Sequence, residues 1–397
     1  MMAENRSRRD FLKHSALMGA GLLSAPAFGL ESRQIPQNAQ NQYAFYGEHQ
    51  AGIATPAQKH IYFLVLDLDT QDIAKVKSIF QNWTAYSNNL TQGKNVKPYS
   101  ENAFLPPNDT GEADSLSPQN LTLTFGVSPS FFSKLGIEKF KPTELKELPH
   151  FPRDQLQAEY TGGDICIQAC ADDPQVAFHA VRNLVRVARG EVRMRWSQMG
   201  FNSFIDERTP RNLFGFKDGT ANADTLKEQE NTIWVQDGWL KGGSYLAVRR
   251  IKMFLETWDR THLRSQEETF GRHRDSGAGL GHQHEFDALD LTKKDEKGNL
   301  AIPDISHTHL ANKTGLKMLR RSFSYSSGID DKGQFDAGLL FISFQQSPEQ
   351  FIKIQNALGN VDKMNEYITH IGSGLFACFA GVKNENDYLG KALFDLI

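Results

Sequence analysis

The chain predicts an α+β fold built from two ferredoxin-like halves. Three observations carry that expectation. Strand-like and helix-like segments follow one another between His60 and Ala188 in an order consistent with the β-α-β-β-α-β pattern. A second round of strands and helices begins near Gly243. The length of 397 residues suits two domains or two halves of one. No residue-level repeat links the two rounds, so the duplication rests on the order of elements alone.

In the first round, His60 to Leu68 is rich in β-branched and aromatic residues and reads as a buried strand. Asp72 to Tyr86 carries Ile73, Val76, Ile79, Phe80 and Trp83 at helical spacing. Leu121 to Val127 alternates as a strand, and Pro129 to Leu135 starts a helix. Ile165 to Ala169 is a strand again. Pro174 to Ala188 is a helix with Val176, Ala177, Ala180, Leu184 and Val187 on one side. The second round opens with a strand from Gly243 to Arg250, followed by a helix over Lys252 to Leu263. Met318 to Tyr325 begins as an apolar-basic strand, and Leu339 to Phe344 is a near-continuous apolar one. Pro348 to Leu358 and Lys363 to Thr369 read as helices, and Gly374 to Phe379 closes the sheet.

Composition excludes several functions. The 44 basic and 47 acidic side chains give a net charge of −3, which recommends no nucleic-acid partner. No segment after the N-terminus is apolar for long enough to cross a bilayer, so an integral membrane protein is not expected. Cys166, Cys170 and Cys378 are odd in number, which allows one disulfide and a free thiol, but Cys166 lies between two isoleucines of a strand, so buried thiols are expected.

The N-terminus predicts export. Ser7-Arg8-Arg9-Asp10-Phe11-Leu12-Lys13 precedes an uncharged, small-residue run from Ser15 to Ala27, with Ala25-Pro26-Ala27 as a cleavage site. This reads as a twin-arginine signal over residues 1–29, followed by a polar linker over 30–44. Removing Arg6, Arg8, Arg9, Lys13, Glu4 and Asp10 leaves 40 basic and 45 acidic residues, a mature charge of −5. The pathway carries folded proteins, which suits a cofactor loaded in the cytoplasm, and implies a periplasmic or other extracytoplasmic location.

The chemistry-bearing stretch runs from Asn212 to Asn222: Asn-Leu-Phe-Gly-Phe-Lys-Asp-Gly-Thr-Ala-Asn. It sets the carboxylate of Asp218 among glycines and aromatics, with His307 and the Arg320-Arg321 pair downstream. An acid, a histidine and an arginine are the groups needed to hold a haem iron, move a proton of peroxide and stabilise charge as the O–O bond breaks. Asp-Gly by itself is a common turn dipeptide. Gly215, Asp218 and Gly219 match a Gly-x-x-Asp-Gly hallmark, and with Gly47 to Ile53 and Ser306 to Asn312 the chain resembles the dye-decolourising peroxidase family, in its exported, iron-uptake-associated branch, from about Tyr46 to the C-terminus.

That resemblance implies two ferredoxin-like halves, 45–210 and 211–397, forming a dimeric α+β barrel arrangement with one haem b in the second. It also implies an enzyme that reduces hydrogen peroxide and oxidises dye-like or phenolic organic donors through a ferryl intermediate. Asp218 is then the acid-base group and Arg320 the distal arginine; Arg321 takes that place if the register shifts by one, since strand side chains alternate. His307 is the axial ligand, with His309 as the competing imidazole, because His309 stands where the family has arginine. Gly215 and Gly219 let the loop approach the porphyrin, with Phe216 and Thr220 beside them. Arg211 is a propionate partner, Ser322 lies near the distal oxygen, and Asp362 or Glu366 accepts the axial imidazole's second N–H. Trp196, Trp234, Trp239, Trp258 and Tyr245 are offered as electron relays. The family also implies a rival reading, a haem-handling protein that releases iron with partners of an uptake system. Assembly into a homo-oligomer is left open by the sequence.

Overall fold

The computed structural model describes residues 41–203, 209–222 and 226–397. The twin-arginine segment and most of the 30–44 linker lie outside the described residues.

The first half runs β1 (His60–Leu68), α1 (Ile73–Leu90), β2 (Thr122–Val127), α2 (Pro129–Lys134), β3 (Ile165–Ala171), α3 (Pro174–Val187) and β4 (Val192–Phe201). Local chemistry sets the helix starts. The side chains of Asp72 and Asp173 accept from the first free N–H groups of α1 and α3, and Pro174 occupies the first turn of α3. Val76, Ile79, Phe80 and Trp83 of α1 are buried, as their spacing requires. All strand pairs are antiparallel in the order β4–β1–β3–β2.

The second half contains α4 (Leu226–Thr232), β5 (Ser244–Met253), α5 (Leu255–Trp258), α6 (Leu263–Phe270), α7 (His307–Lys313), β6 (Leu319–Arg320), β7 (Phe323–Ile329), β8 (Phe335–Gln345), α8 (Pro348–Leu358), β9 (Ile368–Cys378) and α9 (Lys391–Phe394). Its strands run β9–β5–β8–β7, so each half has the same 4-1-3-2 order of a β-α-β-β-α-β unit. Two short joints close the halves into one barrel: Gly126↔Cys378 and Val127↔Ala377 between β2 and β9, and Phe201↔Ser324 between β4 and β7. Both joints need glycine. A Cβ on Gly126 would lie 2.9 Å from Cys378 Sγ, and one on Gly200 would lie 2.8 Å from Phe323 Cβ.

One core fills the barrel, with Phe63, Leu246, Val248, Phe323, Ile342 and Phe376 all buried. A second packs α1 and α3 on the outer face of the first half. A third, with Phe214, Phe216, Trp258, Phe270 and Tyr367, supports the loop that carries Asp218. The three thiols are free and buried. Among the described residues, no helix is long and apolar enough to cross a membrane.

Helices α4, α7 and α9 are additional to the elements read from the sequence, and three further segments differ from the expectation. The predicted helix over Lys252 to Leu263 is a strand as far as Met253, because Lys252 and Met253 pair with Thr369 and Ile368 of β9. Only the four residues of α5 are helical before α6 starts at Leu263, capped by His262. Lys363 to Thr369 forms a single 3-10 turn, Lys363–Glu366, before β9 takes over. Strand β4 is additional to the elements read from the sequence. Its inward residues Val192, Trp196, Gln198 and Gly200 alternate with exposed Arg193, Arg195 and Met199, so it has no apolar run.

Candidate active site

The loop before α4 is folded by its own polar residues. Arg211 and Lys217 form an isolated antiparallel bridge, and the Asn212 side chain accepts from Phe214 N at 3.1 Å and Phe216 N at 3.3 Å. Gly215 (φ 83°) and Gly219 (φ 121°) turn the chain through the left-handed region that glycine tolerates. Phe214 and Phe216 anchor the loop from below: Phe216 stacks on Phe270 at 4.0 Å, and Phe214 on Trp258 at 4.4 Å. Phe214 lines the cavity described below, whereas Phe216 is spent on packing. Thr220 Oγ1 donates to Glu285 Oε1 at 3.0 Å, and Lys217 pairs with the same carboxylate. The Arg211 guanidinium donates to the carbonyls of Gly215 and Asp275 at 2.7 Å, and also to that of Arg274, so it clamps this loop to the 271–279 segment.

This places Asp218 beside Arg320. Arg320 Nη1 donates to Asp218 Oδ1 at 3.0 Å, and both side chains are largely buried. Asn222 fixes the pairing of the two segments: its Nδ2 donates to Arg320 O at 2.9 Å and its Oδ1 accepts from Arg320 N at 3.0 Å. Arg321 points the other way, as strand alternation requires. Its guanidinium is buried against the carbonyls of Thr55 and Pro56 and the Gln58 side chain. Ser322 Oγ is buried without a hydrogen-bond partner.

His307 opens α7, behind the cap residue Ser306. Its Nδ1 lies 2.7 Å from Oδ2 of Asp362, a buried residue whose other oxygen accepts from Met364 N at 2.9 Å. Burial disfavours the charged imidazole, but the Asp362 charge and hydrogen bond outweigh it and raise the pKa above its ordinary value. With Nδ1–H donated to Asp362, Nε2 carries the free lone pair. Glu366 is exposed, so of the two acids offered by the sequence only Asp362 reaches the imidazole. His309 is turned to the Ile302 carbonyl at 3.3 Å and does not line the cavity. His282 is engaged with the Leu280 carbonyl and the Asp290 N–H of its own loop.

His307, Asp362, Asp218, Gly219, Thr220 and Arg320 all line one cavity of about 310 Å³, the size of a small-molecule site. Its remaining walls are mostly apolar, from Phe214, Phe270, Leu339, Phe341, Ile354 and Leu358. Cationic side chains also border it, among them Lys217, Arg272 and Arg249. Burial and the neighbouring Arg320 charge lower the pKa of Arg272 from its ordinary value. Arg249 pairs with Asp154 but keeps a buried, unpartnered Nε. This donor set fits haem: an imidazole nitrogen free to bind iron, apolar walls for a flat macrocycle, and buried cations for its carboxylates.

Asn212, Asn222 and Arg272 are site residues that the sequence reading did not single out. The asparagines open and close the loop stretch, a legible signal for side chains that bond local backbone. Arg272 has no such signal. Of the aromatics offered as relays, Trp258 stands one ring behind the cavity wall through Phe214.

Comparison with known proteins finds the same family along both halves of the chain. Residues 50–202 match the family description Dyp-type peroxidase, N-terminal, and residues 209–383 match Dyp-type peroxidase, C-terminal. The Deferrochelatase of Escherichia coli O157:H7 is 39% identical over 414 residues, covering 98% of this chain and 96% of that protein. Ferric DtpA from Streptomyces lividans superposes with a TM-score of 0.83 at 36% identity, over 89% of this chain and 97% of that one. A DyP-type peroxidase from Cellulomonas bogoriensis gives a TM-score of 0.82 at 35% identity, over 89% and 98%.

Proposed function

The chain belongs to the Dyp-type peroxidase family and is a haem peroxidase that reduces hydrogen peroxide and oxidises organic donors; from that premise we propose that His307 is the axial ligand and Asp218 the proton carrier, with Arg320 as its charged partner. The observation that carries these roles is the single cavity that brings together an imidazole anchored on Asp362 and the Asp218–Arg320 pair. Bound haem supplies the iron at which peroxide is reduced and from which donors are oxidised.

Asp362 accepts Nδ1–H of His307, which fixes the tautomer and ring orientation and increases electron donation from Nε2. Asp218 Oδ1 is engaged by Arg320, so Oδ2 is the oxygen available to a substrate proton. With haem bound, Asp218 Oδ2 would take a proton from one oxygen of peroxide and return it to the other, which would leave as water. Arg320 offers fixed N–H donors to the negative charge that develops on the leaving oxygen. Arg272, Lys217 and Arg249 add positive charge to the cavity's border, which suits a ligand that carries carboxylates, and the Arg211 clamp holds the Asp218 loop in position. Rapid mixing of the haem-loaded protein with peroxide tests the assignment: Asp218→Asn keeps the haem spectrum but slows the peroxide-dependent absorbance change, and an unchanged rate excludes Asp218 as the carrier.

The 39% identity to proteins named Deferrochelatase supports a second reading of the same cavity, release of iron from haem for uptake. Product analysis separates the two, because oxidised donor with consumed peroxide marks peroxidase turnover, whereas intact protoporphyrin with free iron marks release. Residues Ser7 to Lys13 and the small-residue run after them support export of the folded protein by the twin-arginine pathway to an extracytoplasmic compartment.

A further inference from the structure

Glu285 belongs to the segment between α6 and α7, and its side chain has little solvent access. Three donors of the Asp218 loop converge on its carboxylate. Thr220 Oγ1 donates to Oε1 at 3.0 Å, the Lys217 ammonium pairs with Oε2, and the Thr209 hydroxyl donates to the same group. We propose that Glu285 is a positioning residue for the peroxide step, which holds the turn around Asp218 and keeps the Lys217 ammonium off the carboxylate that carries the proton. The proposal rests on the role given to Asp218 above.

The places of the three donors lead to that role. Lys217 directly precedes Asp218, Thr220 follows it by two positions, and Thr209 precedes Pro210, whose carbonyl accepts from Asp218 N at 2.8 Å. Both sides of the small bridge between Arg211 and Lys217 are therefore tied to one anchor. The anchor is itself fixed, because Arg272 Nη1 donates to Glu285 O at 3.1 Å and to Gly277 O at 2.7 Å. Gly277 (φ 77°) permits the close approach: a Cβ there would lie 2.6 Å from Lys217 Cδ and 3.4 Å from Glu285 Cγ. Burial raises the Glu285 pKa, but the bonds from Lys217, Thr209 and Thr220 outweigh it and hold it below the ordinary carboxylate value, so the group stays charged.

Charge gives this clasp a second consequence. Lys217 and Asp218 both line the cavity assigned to haem, where Arg320 already engages Asp218 Oδ1. An ammonium released from Glu285 would compete for Oδ2, the oxygen that must stay open to a proton. Proton transfer depends steeply on placement, so a small shift of the turn is felt in the rate of the peroxide step rather than in haem binding.

Glu285→Gln tests this, because an amide oxygen still accepts from a threonine hydroxyl whereas the charge that holds Lys217 is gone. In the apoprotein, hydrogen–deuterium exchange over residues 212–222 should quicken several-fold, with exchange in β1 and β3 unchanged. In the haem-loaded protein the Soret band should be retained, and the peroxide step followed by stopped flow should slow by about 10- to 100-fold. The later oxidation of an organic donor by the peroxide-oxidised protein should keep its rate. In an Asp218→Asn background the same substitution should change the peroxide step by less than about 2-fold, since a residue that acts through Asp218 then has nothing left to position. Wild-type peroxide kinetics or unchanged exchange in Glu285→Gln overturn the proposal, as does equal slowing in the wild-type and Asp218→Asn backgrounds. Thr220→Val, which removes one of the three donors, is expected to slow the step several-fold and serves in its place if Glu285→Gln fails to fold or to load haem. An Asp218→Asn protein as fast as wild type would overturn the reading of Asp218 itself, so the two failures differ.

Discussion

His307 Nδ1 and Asp362 Oδ2 meet at 2.7 Å although 55 residues separate them, and Asp362 is itself tied to the Met364 N–H. A histidine at the start of α7 is thereby held by an acid at the turn before β9. The neighbouring Glu366, equally acidic in the sequence, faces outward. The orientation of the imidazole depends on that one contact.

Asp362→Asn should retain haem but lose about 10- to 100-fold in peroxidase activity, the usual effect of removing a partner behind a metal ligand. Its iron reduction potential should rise, because the imidazole donates less charge. Glu366→Gln should leave both quantities unchanged. Spectroelectrochemical titration of the two variants beside wild type checks this.

Asp218→Asn should slow the peroxide step by about 100- to 10,000-fold, the contribution of a positioned proton carrier. Arg320→Lys keeps the charge but loses the rigid fork, so a loss of at least about 10-fold is expected in the same stopped-flow trace. Arg321→Lys should not affect that trace, since Arg321 is turned to Thr55, Pro56 and Gln58, although it should lower the unfolding midpoint.

Arg249 and Asp154 form an ion pair with almost no solvent access. Arg249→Met leaves a buried carboxylate without its partner and should destabilise the apoprotein by about 3–5 kcal/mol in urea unfolding. The double variant Arg249→Met with Asp154→Leu should recover much of that loss. Equal losses in the single and double variants would show that the guanidinium packing over Phe151 matters more than the charge.

His370 gives the apoprotein a pH dependence of definite sign. Burial, reinforced by the charges on Arg249 and His307, lowers its imidazole pKa to about 3. The folded pKa lies below the unfolded one, so the unfolded chain binds the extra proton and stability falls as pH drops below about 6.5, by about 2 kcal/mol at pH 5. The difference in urea stability between pH 7 and pH 5 should be smaller in His370→Asn by that amount. Equal differences in the two proteins would contradict the linkage.

Much of this architecture is legible in the sequence because period and capping agree. Asp72 before Ile73 and Pro174 behind Asp173 announce α1 and α3, and Pro348 to Leu358 marks the full extent of α8. Strand β4 is illegible because its outer face is charged and uncovered. The break between α5 and α6 follows from the pairing of Lys252 and Met253 with β9, which local propensity does not see. At the site, strand alternation separates Arg320 from Arg321. The choice between Asp362 and Glu366, and between His307 and His309, depends on where a turn and a helix dock in space. The convergence of Lys217 and Thr220 on Glu285 belongs to tertiary structure entirely.

The axial bond is tested most directly by resonance Raman spectroscopy of the ferrous, haem-loaded protein beside its His307→Ala and His309→Ala variants. An iron–imidazole stretch present in wild type and His309→Ala, absent in His307→Ala and restored there by added imidazole is the predicted result. Persistence of the stretch in His307→Ala, or its loss in His309→Ala alone, would contradict the assignment.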